Sequence, residues 1–305
     1  MANIPFDRQT IVRCYNTEHE QELVAKDPDR TSNLNRFEGR VQEQIRENDD
    51  PNALRKLQNF LKIDTIKTIP LVVHIVYNTN KQNISDEQIN SQITILNQDF
   101  SRTNPDASNT PSAFSPVAAD TGIRFCLVKV IRHKTNVTQF SNNDDVKHNN
   151  KGGSDAVDTS RYFNVWVCSL GGNLLGYGEF PTIIRSNTYG VVVNYETFGT
   201  GGTSRPPYDK GRTLTHEIAH CLNVYHIFEE SHTTSCIKTD KVYDIPTQST
   251  PTYGCPGFPK TDNCSLNAPG IMFMNYMDYS DDACMNCFTI DQSKRMNATL
   301  ETYPY

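Results

Sequence analysis

The stretch Thr215–His226 constrains the fold more than any other part of the chain. His216 and His220 are four residues apart, so one face of a helix presents both imidazoles. His226 follows six residues later, and a straight helix would point it in another direction. The helix must therefore end in between. Asn223 is the candidate turn residue, because asparagine tolerates the left-handed backbone that closes helices.

Three imidazoles that converge on one point predict a zinc site with His216, His220 and His226 as ligands. Catalytic zinc sites keep three protein ligands and one open position, whereas structural sites are usually closed by four. Glu217 lies beside the histidines and can reach a water molecule on such an ion without being a ligand. Because zinc lowers the pKa of bound water to about 7, Glu217 is the predicted general base.

A second segment, Met274–Asn286, follows well downstream of the helix. The helix motif and this methionine-containing segment together resemble the pappalysin family of metzincin zinc metallopeptidases, in particular its ulilysin-like microbial branch. The resemblance runs from about Arg13 to the C-terminus. It implies an α/β (α+β) metzincin-type catalytic domain, in which an upper lobe with a twisted mixed sheet and helices precedes an irregular, disulfide-linked lower lobe. Most metzincins carry glycine at Asn223, and asparagine can make the same turn.

The resemblance also implies roles for residues of the second segment. Met277 would form an apolar base beneath the histidines, and Tyr279 would hydrogen-bond the tetrahedral intermediate unless it is an ordinary core tyrosine. Asp282 would lie at the bottom of the pocket for the residue after the scissile bond, where a carboxylate pairs with Arg or Lys. We therefore expect cleavage on the amino side of basic residues. Asp281 is the competing candidate, and a solvated turn would leave both acids without a role.

The N-terminal arm differs in composition from the rest of the chain. It is rich in Arg, Glu, Gln, Asn and Asp, with helical stretches predicted near Glu18–Lys26 and Asn33–Asn48. Its one cysteine, Cys14, could donate a thiolate to zinc and fill the open position. In the resemblance this is the cysteine switch of a mostly helical pro-segment, which acts as an intramolecular inhibitor. The alternative is an exposed free thiol without a role.

Strands and helices alternate in the next part of the chain. The predicted strands are Ile69–Tyr77, Ile123–Ile131, Tyr162–Leu170 and Gly190–Tyr195, and a helix is predicted from Ser85 to Phe100. This alternation predicts a twisted, mostly parallel sheet covered by helices. Gly171–Gly178 resembles the family's edge strand above the cleft, where Leu174 and Gly176 would bind substrate through main-chain hydrogen bonds. Without the resemblance, this segment reads as a glycine-rich loop.

These features divide the chain into three predicted parts. Residues 1–62 form the pro-segment, residues 63–226 the N-terminal lobe with the zinc helix, and residues 227–305 the C-terminal lobe with the Met-turn and a final helix near Thr289–Leu300. The formal net charge of −6 does not indicate a surface that binds nucleic acid. No apolar run is long enough to span a membrane. The first residues lack the apolar core of a signal peptide, so a leader has been removed or export uses another route.

Nine cysteines are many for a cytosolic enzyme. Four of them lie in the Gly-, Pro- and Asn-rich stretch after the zinc helix, where cross-links suit a segment with little apolar pattern and predict a secreted protein. Four cysteines allow three pairings, of which the resemblance favours Cys236–Cys264 with Cys255–Cys284. Three cysteines are predicted to be buried free thiols: Cys126 and Cys168 in apolar strand-like runs, and Cys221 on the zinc helix. Cys287 has no assigned role.

A structural calcium site is predicted in the same stretch. Glu229, Asp240 and Asp244 crowd an irregular loop, and carboxylates are ligands that calcium prefers. The resemblance implies calcium here, although the relatives' Asp-Thr-Pro is Asp244-Ile245-Pro246 in this chain and lacks the hydroxyl. The alternative is that these are solvated loop acids.

The leading hypothesis is a secreted zinc endopeptidase in its latent form, with peptide substrates that carry Arg or Lys after the scissile bond. A thermolysin-like peptidase would take a distant glutamate as third ligand, which His226 and Met277 argue against. A catalytically silent, zinc-bearing protein-binding module would have no need of Glu217.

Overall fold

The computed structural model describes residues 6, 10–50, 66–230 and 235–305, so the predicted boundary at residue 62 lies outside the described residues. The helices are α1 (Asn16–Lys26), α2 (Arg30–Asp49), α3 (Asp86–Phe100), α4 (Arg212–Cys221) and α5 (Ile290–Thr302). The strands are β1 (Lys67–Tyr77), β2 (Ile123–Lys134), β3 (Phe163–Cys168), β4 (Gly176–Tyr177) and β5 (Gly190–Asn194). Within these ranges, no helix is both long and apolar enough to cross a membrane.

The five strands form one mixed sheet in the order β2–β1–β3–β5–β4. Strands β1, β2, β3 and β5 pair in parallel, and β4 runs antiparallel to β5 at the edge. Consecutive buried residues in β3 and β5 are typical of parallel strands covered on both faces. The predicted α/β class is therefore confirmed, and the glycine-rich segment that was expected to form the edge strand contains β4.

Two cores cover the two faces of the sheet. Alternate residues of the central strands, among them Val165 and Val191, pack with residues of α3, α4 and α5 in the larger core. The residues between them, among them Trp166 and Val192, belong to a smaller core on the opposite face. Helix α2 of the N-terminal arm adds Phe37 to the larger core, so the arm packs as part of the fold.

Cys126 is exposed, so its prediction as a buried thiol was wrong. It lies on β2, which is an edge strand, and the smaller core contains no residue of that strand. An apolar run therefore has one uncovered face at this edge. Cys168, Cys221 and Cys287 are buried.

The chain from residue 227 onward has little regular structure before α5. Disulfides join Cys236 to Cys264 and Cys255 to Cys284, with Cα atoms 5.3 and 5.6 Å apart, which are the pairings that the resemblance implies. Helix α5 begins with a capping box, in which the side chains of Thr289 and Gln292 each bind the other residue's main-chain N–H.

Helix α4 ends where the histidine spacing requires a turn. Its last residue is Cys221, and Asn223 follows with a left-handed φ of 64°. The N–H of Asn223 donates to the carbonyl of His220 (2.9 Å), and the N–H of Val224 donates to the carbonyl of Ala219 (3.0 Å). These two bonds define a Schellman motif, which here has asparagine at the position that glycine usually takes.

Asn223→Ala should lower the free energy of unfolding by about 1–2 kcal/mol, because alanine keeps the close contact between Cβ and the following carbonyl but lacks the polar side chain that lets asparagine tolerate this conformation. The side chain of Asn223 also donates to Glu38 (3.0 Å), and alanine loses that bond as well. Asn223→Gly is the matched control, since it loses the side-chain bond without backbone strain and should be less destabilising. Denaturant unfolding of the three proteins measures the difference, and equal losses for alanine and glycine would contradict the backbone argument.

Candidate metal centre

The Nε2 atoms of His216, His220 and His226 form a triangle with edges of 3.1 Å. The first two histidines lie on α4, and the turn at Asn223 returns the third to the same point. A tetrahedral zinc ion with bonds of about 2.0–2.1 Å separates its nitrogen ligands by about 3.3 Å. The residues present therefore fit one zinc ion.

Each histidine directs its other ring nitrogen, Nδ1, at an oxygen acceptor. The acceptors are the carbonyl of Tyr276 for His216 (2.7 Å), the carbonyl of Val224 for His220 (2.8 Å) and the carboxylate of Glu230 for His226. Because a carbonyl oxygen only accepts, the proton lies on Nδ1 and the lone pair of Nε2 faces the centre. Burial and the neighbouring imidazoles also lower the pKa values of His216 and His220, which favours the neutral form that binds metal.

Cys14 of the N-terminal arm contributes a fourth donor. Its Sγ lies 3.5 Å from Nε2 of His220, and the thiol and the three histidines place their ligand atoms within 4.8 Å of one another. All four residues are buried. The alternative of an exposed thiol is therefore excluded, and the arrangement matches a closed site of three nitrogens and one sulfur.

Glu217 is fully buried beside this centre. Its Oε2 lies 3.4 Å from Sγ of Cys14, so the carboxylate faces the position that the thiol occupies. Burial raises the pKa of Glu217 to about 8, against the hydrogen bond from Cys14 and the charge of Arg13. Strand β4 passes close by, since a Cβ on Gly176 would lie 3.0 Å from Cγ of Glu217. Glycine at this position lets the edge strand approach the carboxylate.

The arm covers the predicted substrate edge. Val12 forms a parallel bridge with Leu174, donating to the carbonyl of Asn173 (3.1 Å) and accepting from the N–H of Leu175 (3.0 Å). Further along, the side chains of Asn16 and His19 bind the main-chain N–H and carbonyl of Gly178. Main-chain groups on either side of β4 are thus bound by the arm.

Arg13 lies against Asp282, at a distance of 3.3 Å between Nη2 and Oδ1. Its guanidinium also donates to the hydroxyl of Thr213 (2.6 Å) and stacks over the ring of Tyr208. Sequence reasoning identified Asp282 but missed Arg13, although the arginine directly precedes Cys14 in the chain. The ion pair is made by Asp282, and Asp281 next to it bonds through its N–H to Gly254.

The other oxygen of Asp282 is bound to the start of α4. Oδ2 accepts the main-chain N–H groups of Lys210 (2.9 Å) and Arg212 (3.2 Å), which suits an anion at a helix N-terminus. Burial raises the pKa of Asp282, and the charges of Arg13 and Arg212 oppose that shift. The carboxylate is therefore fixed to the same helix that carries two of the histidines.

Met277 and Tyr279 lie next to the histidines. Met277 is fully buried and directly follows Tyr276, whose carbonyl accepts from His216. The ring of Tyr279 lies 5.0 Å from the ring of His226 and 4.8 Å from that of Phe228. Burial raises the pKa of Tyr279, so its hydroxyl keeps its proton and can donate.

The three acids predicted to bind calcium do not converge. Asp244 accepts a hydroxyl and a main-chain N–H at the start of α5, so it caps that helix. Asp240 pairs with Lys238 at 3.2 Å, and Glu229 accepts a hydroxyl hydrogen bond from its own loop. Among the described residues, the group of four at the zinc site is the one set of three or more His, Cys, Asp or Glu that is close enough to hold a metal. Calcium binding at this loop stays a prediction.

Glu38 on α2 is a further contact that sequence reasoning missed. Its two carboxylate oxygens accept from the guanidinium of Arg295, at 3.0 and 2.8 Å, and one of them also accepts from Asn223. Burial would raise the pKa of Glu38, but the hydrogen bonds and charge of Arg295 outweigh it and lower the pKa to about 2. An acid on a polar helix gives no sequence signal of such a pairing.

The chain is similar to known proteases. Residues 141–301 match the peptidase family described as pregnancy-associated plasma protein-A. An extracellular metalloprotease of Arthroderma benhamiae is 33% identical over 236 residues, which span 75% of this chain and 76% of that protein.

Two solved structures from Tannerella forsythia are also similar. Mature mirolysin in complex with a cleaved peptide is 47% identical with a TM-score of 0.76, covering 79% of this chain and 96% of that chain. A promirolysin mutant is 40% identical with a TM-score of 0.82, covering 95% of this chain and 94% of that chain. The wider coverage in the second comparison extends the likeness into the N-terminal arm.

Glu38→Gln should weaken the docking of α2 in a pH-dependent way. Because the folded pKa of about 2 lies below the usual 4.5, the carboxylate stabilises the fold above about pH 4.5, and this contribution disappears as the pH falls towards 2. The free energy of unfolding at pH 6 should drop by roughly 2 kcal/mol, allowing for partial exposure. Denaturant unfolding from pH 6 to 3 measures the change, with Glu43→Gln on the exposed face of α2 as control. A wild-type advantage that does not shrink in acid would contradict the assignment.

Proposed function

This chain belongs to the pappalysin family of zinc metalloendopeptidases, and on that premise we propose that it is a secreted proenzyme that cleaves peptides before Arg or Lys. The observation that carries the proposal is the path of the arm, which brings Cys14 to the three histidines and Arg13 to Asp282. In this proposal residues 1–62 are the pro-segment, residues 63–226 the N-terminal lobe and residues 227–305 the C-terminal lobe. The two disulfides, and relatives named as extracellular, support secretion.

His216, His220 and His226 would hold the zinc ion. When bound, zinc supplies Lewis-acid polarisation of the scissile carbonyl and lowers the pKa of water to about 7. Glu217 is the proposed general base, since its carboxylate faces the position that Cys14 fills in the latent chain. Tyr279 would donate its hydroxyl to the developing oxyanion from its place beside His226.

Strand β4 would orient the peptide through its main-chain groups. An unpaired edge binds extended peptides by backbone hydrogen bonds, and the arm uses this edge at Leu174 and Gly178. Gly176 allows the edge to run close to Glu217, which brings a bound peptide near the proposed base.

Latency would follow from simultaneous occupation of three parts of the site. Val12 takes the edge strand, Cys14 the fourth position at the metal and Arg13 the carboxylate of Asp282. Because the three residues are consecutive, one short segment would block the edge strand, the metal position and the specificity pocket together.

The preference for a basic residue after the scissile bond rests on Arg13 as an internal substitute for that residue. Its guanidinium reaches a buried carboxylate, and a substrate arginine would have the same charge and hydrogen-bonding groups. Lysine would reach the carboxylate with a single ammonium group.

Cys14→Ala should make the intact chain active before any cleavage of the arm. Removing the fourth donor weakens the arm at the metal, and each 1.4 kcal/mol of lost arm binding raises activity about tenfold. Peptide hydrolysis by the intact variant, compared with wild type before and after light trypsin treatment, measures the effect. Glu217→Ala should stay inactive both before and after trypsin treatment. An intact Cys14→Ala protein that is as latent as wild type would refute the switch.

Asp282→Asn in the arm-free enzyme should lower kcat/KM for a peptide with Arg after the scissile bond by about ten- to a hundredfold. The reason is the loss of one buried, charge-assisted contact, which contributes about 1.5–3 kcal/mol. A peptide with Leu at that position should change little. Asp281→Asn is the matched control and should keep the preference for Arg. Loss of the preference in the control alone would transfer the role to Asp281.

A further inference from the structure

A second arginine lies directly behind the carboxylate that receives Arg13. Arg212, the first residue of α4, is buried and donates from Nη1 to the main-chain carbonyl of Asp282 at 2.6 Å. Its own main-chain N–H donates to Oδ2 of the same residue. A fixed positive charge therefore stands on the protein side of Asp282, while a basic side chain enters from the cleft.

The carboxylate of Asp106 binds the guanidinium of Arg212. Its two carboxylate oxygens accept from Nη1 and Nη2 at 2.6 Å each, which is a bidentate pair. Asp99 is only a distant partner of Arg212, at 3.5 Å, because it accepts the hydroxyls of Thr215 and Tyr276 at 2.8 Å each. The closest carboxylate partner of this guanidinium is thus Asp106, beside the main-chain carbonyl of Asp282.

The charges of these four groups decide what the pocket can bind. Asp282, Asp106 and Asp99 each carry −1 and Arg212 carries +1, so the set has a net negative charge that attracts a basic side chain. Without the carboxylate of Asp106, only the longer contact to Asp99, at 3.5 Å, would compete with Asp282 for the guanidinium, which could then turn towards Asp282. Those two charges would cancel, and the pocket would lose its attraction for a cation.

We propose that Asp106 is a specificity-determining positioning residue: by holding Arg212, it leaves the charge of Asp282 available to the basic residue after the scissile bond. This inference rests on the proposed role of Asp282. Asp106 acts through Arg212 and contacts no reacting group. Its side chain is about one-fifth exposed (22%), so a substitution there leaves no buried void.

The test compares arm-free wild type with Asp106→Asn on two peptides that differ only in Arg or Leu after the scissile bond. Asp106→Asn should lower kcat/KM for the Arg peptide about tenfold, mainly through a higher KM, as expected for one lost charge-assisted contact. The Leu peptide should stay within about twofold of wild type. Asp106→Glu should restore part of the preference, and Asp120→Asn, at an exposed surface pair, is the matched control.

A second set of variants removes the side chain of Arg212 itself. In an Arg212→Gln background, adding Asp106→Asn should leave the ratio between the Arg and Leu peptides unchanged, because the guanidinium that it releases is absent. Melting temperature and zinc content show whether each variant is folded.

The outcomes separate this inference from the proposed function. A folded Asp106→Asn enzyme with an undiminished preference for Arg overturns the inference alone, as does an equal loss on both peptides. A wild-type enzyme with no preference for basic residues overturns both the role of Asp282 and the inference.

Discussion

The site depends on three imidazole nitrogens held 3.1 Å apart with their lone pairs facing one another. Such lone pairs repel unless a cation lies between them, so the surrounding fold has to maintain the arrangement. It does so with an oxygen acceptor behind each ring, contributed by different parts of the chain. One of these acceptors, the carbonyl of Val224, belongs to the turn that ends the helix, so the backbone conformation at Asn223 both returns the third histidine and orients the second.

The N-terminal arm occupies the parts of the site that the proposed function assigns to a peptide substrate and to the metal-bound water. It pairs with the edge strand, directs a basic side chain at a buried carboxylate and fills the metal position with a thiol. Helix α1 binds Gly178 through His19, and α2 extends the contact beyond the cleft, since Phe37 lies in the main core and Glu38 binds Arg295. The docked helices follow the short segment Val12–Cys14 in the chain and anchor it on its C-terminal side, which raises its local concentration at the site.

The sequence predicts those parts of the site that depend on local spacing. The helix, its left-handed turn and the return of His226 follow from the spacing of three histidines, and the strands follow from their apolar runs. The α/β fold class, predicted from the alternation of strands and helices, is confirmed by the five-stranded mixed sheet. Burial of Cys126 could not be predicted, because it depends on whether a second core reaches the edge strand.

Ion pairs between residues far apart in the sequence cannot be predicted from local spacing. Glu38 and Arg295 are 257 residues apart in sequence, and each looks like an ordinary surface charge on its own helix. Likewise, the contact of Asp244 with the start of α5 has no signal in the sequence around Asp244. The pairing of Arg212 with Asp106 is of the same kind, since neither residue belongs to a recognisable motif.

X-ray absorption at the zinc edge tests most directly whether Cys14 completes the metal site of the latent chain. The zinc-loaded intact protein should show nitrogen scatterers at about 2.0–2.1 Å and one sulfur at about 2.3 Å. The sulfur contribution should vanish once the arm is removed. A spectrum of the intact protein without sulfur, or one that is the same before and after removal, would contradict the account.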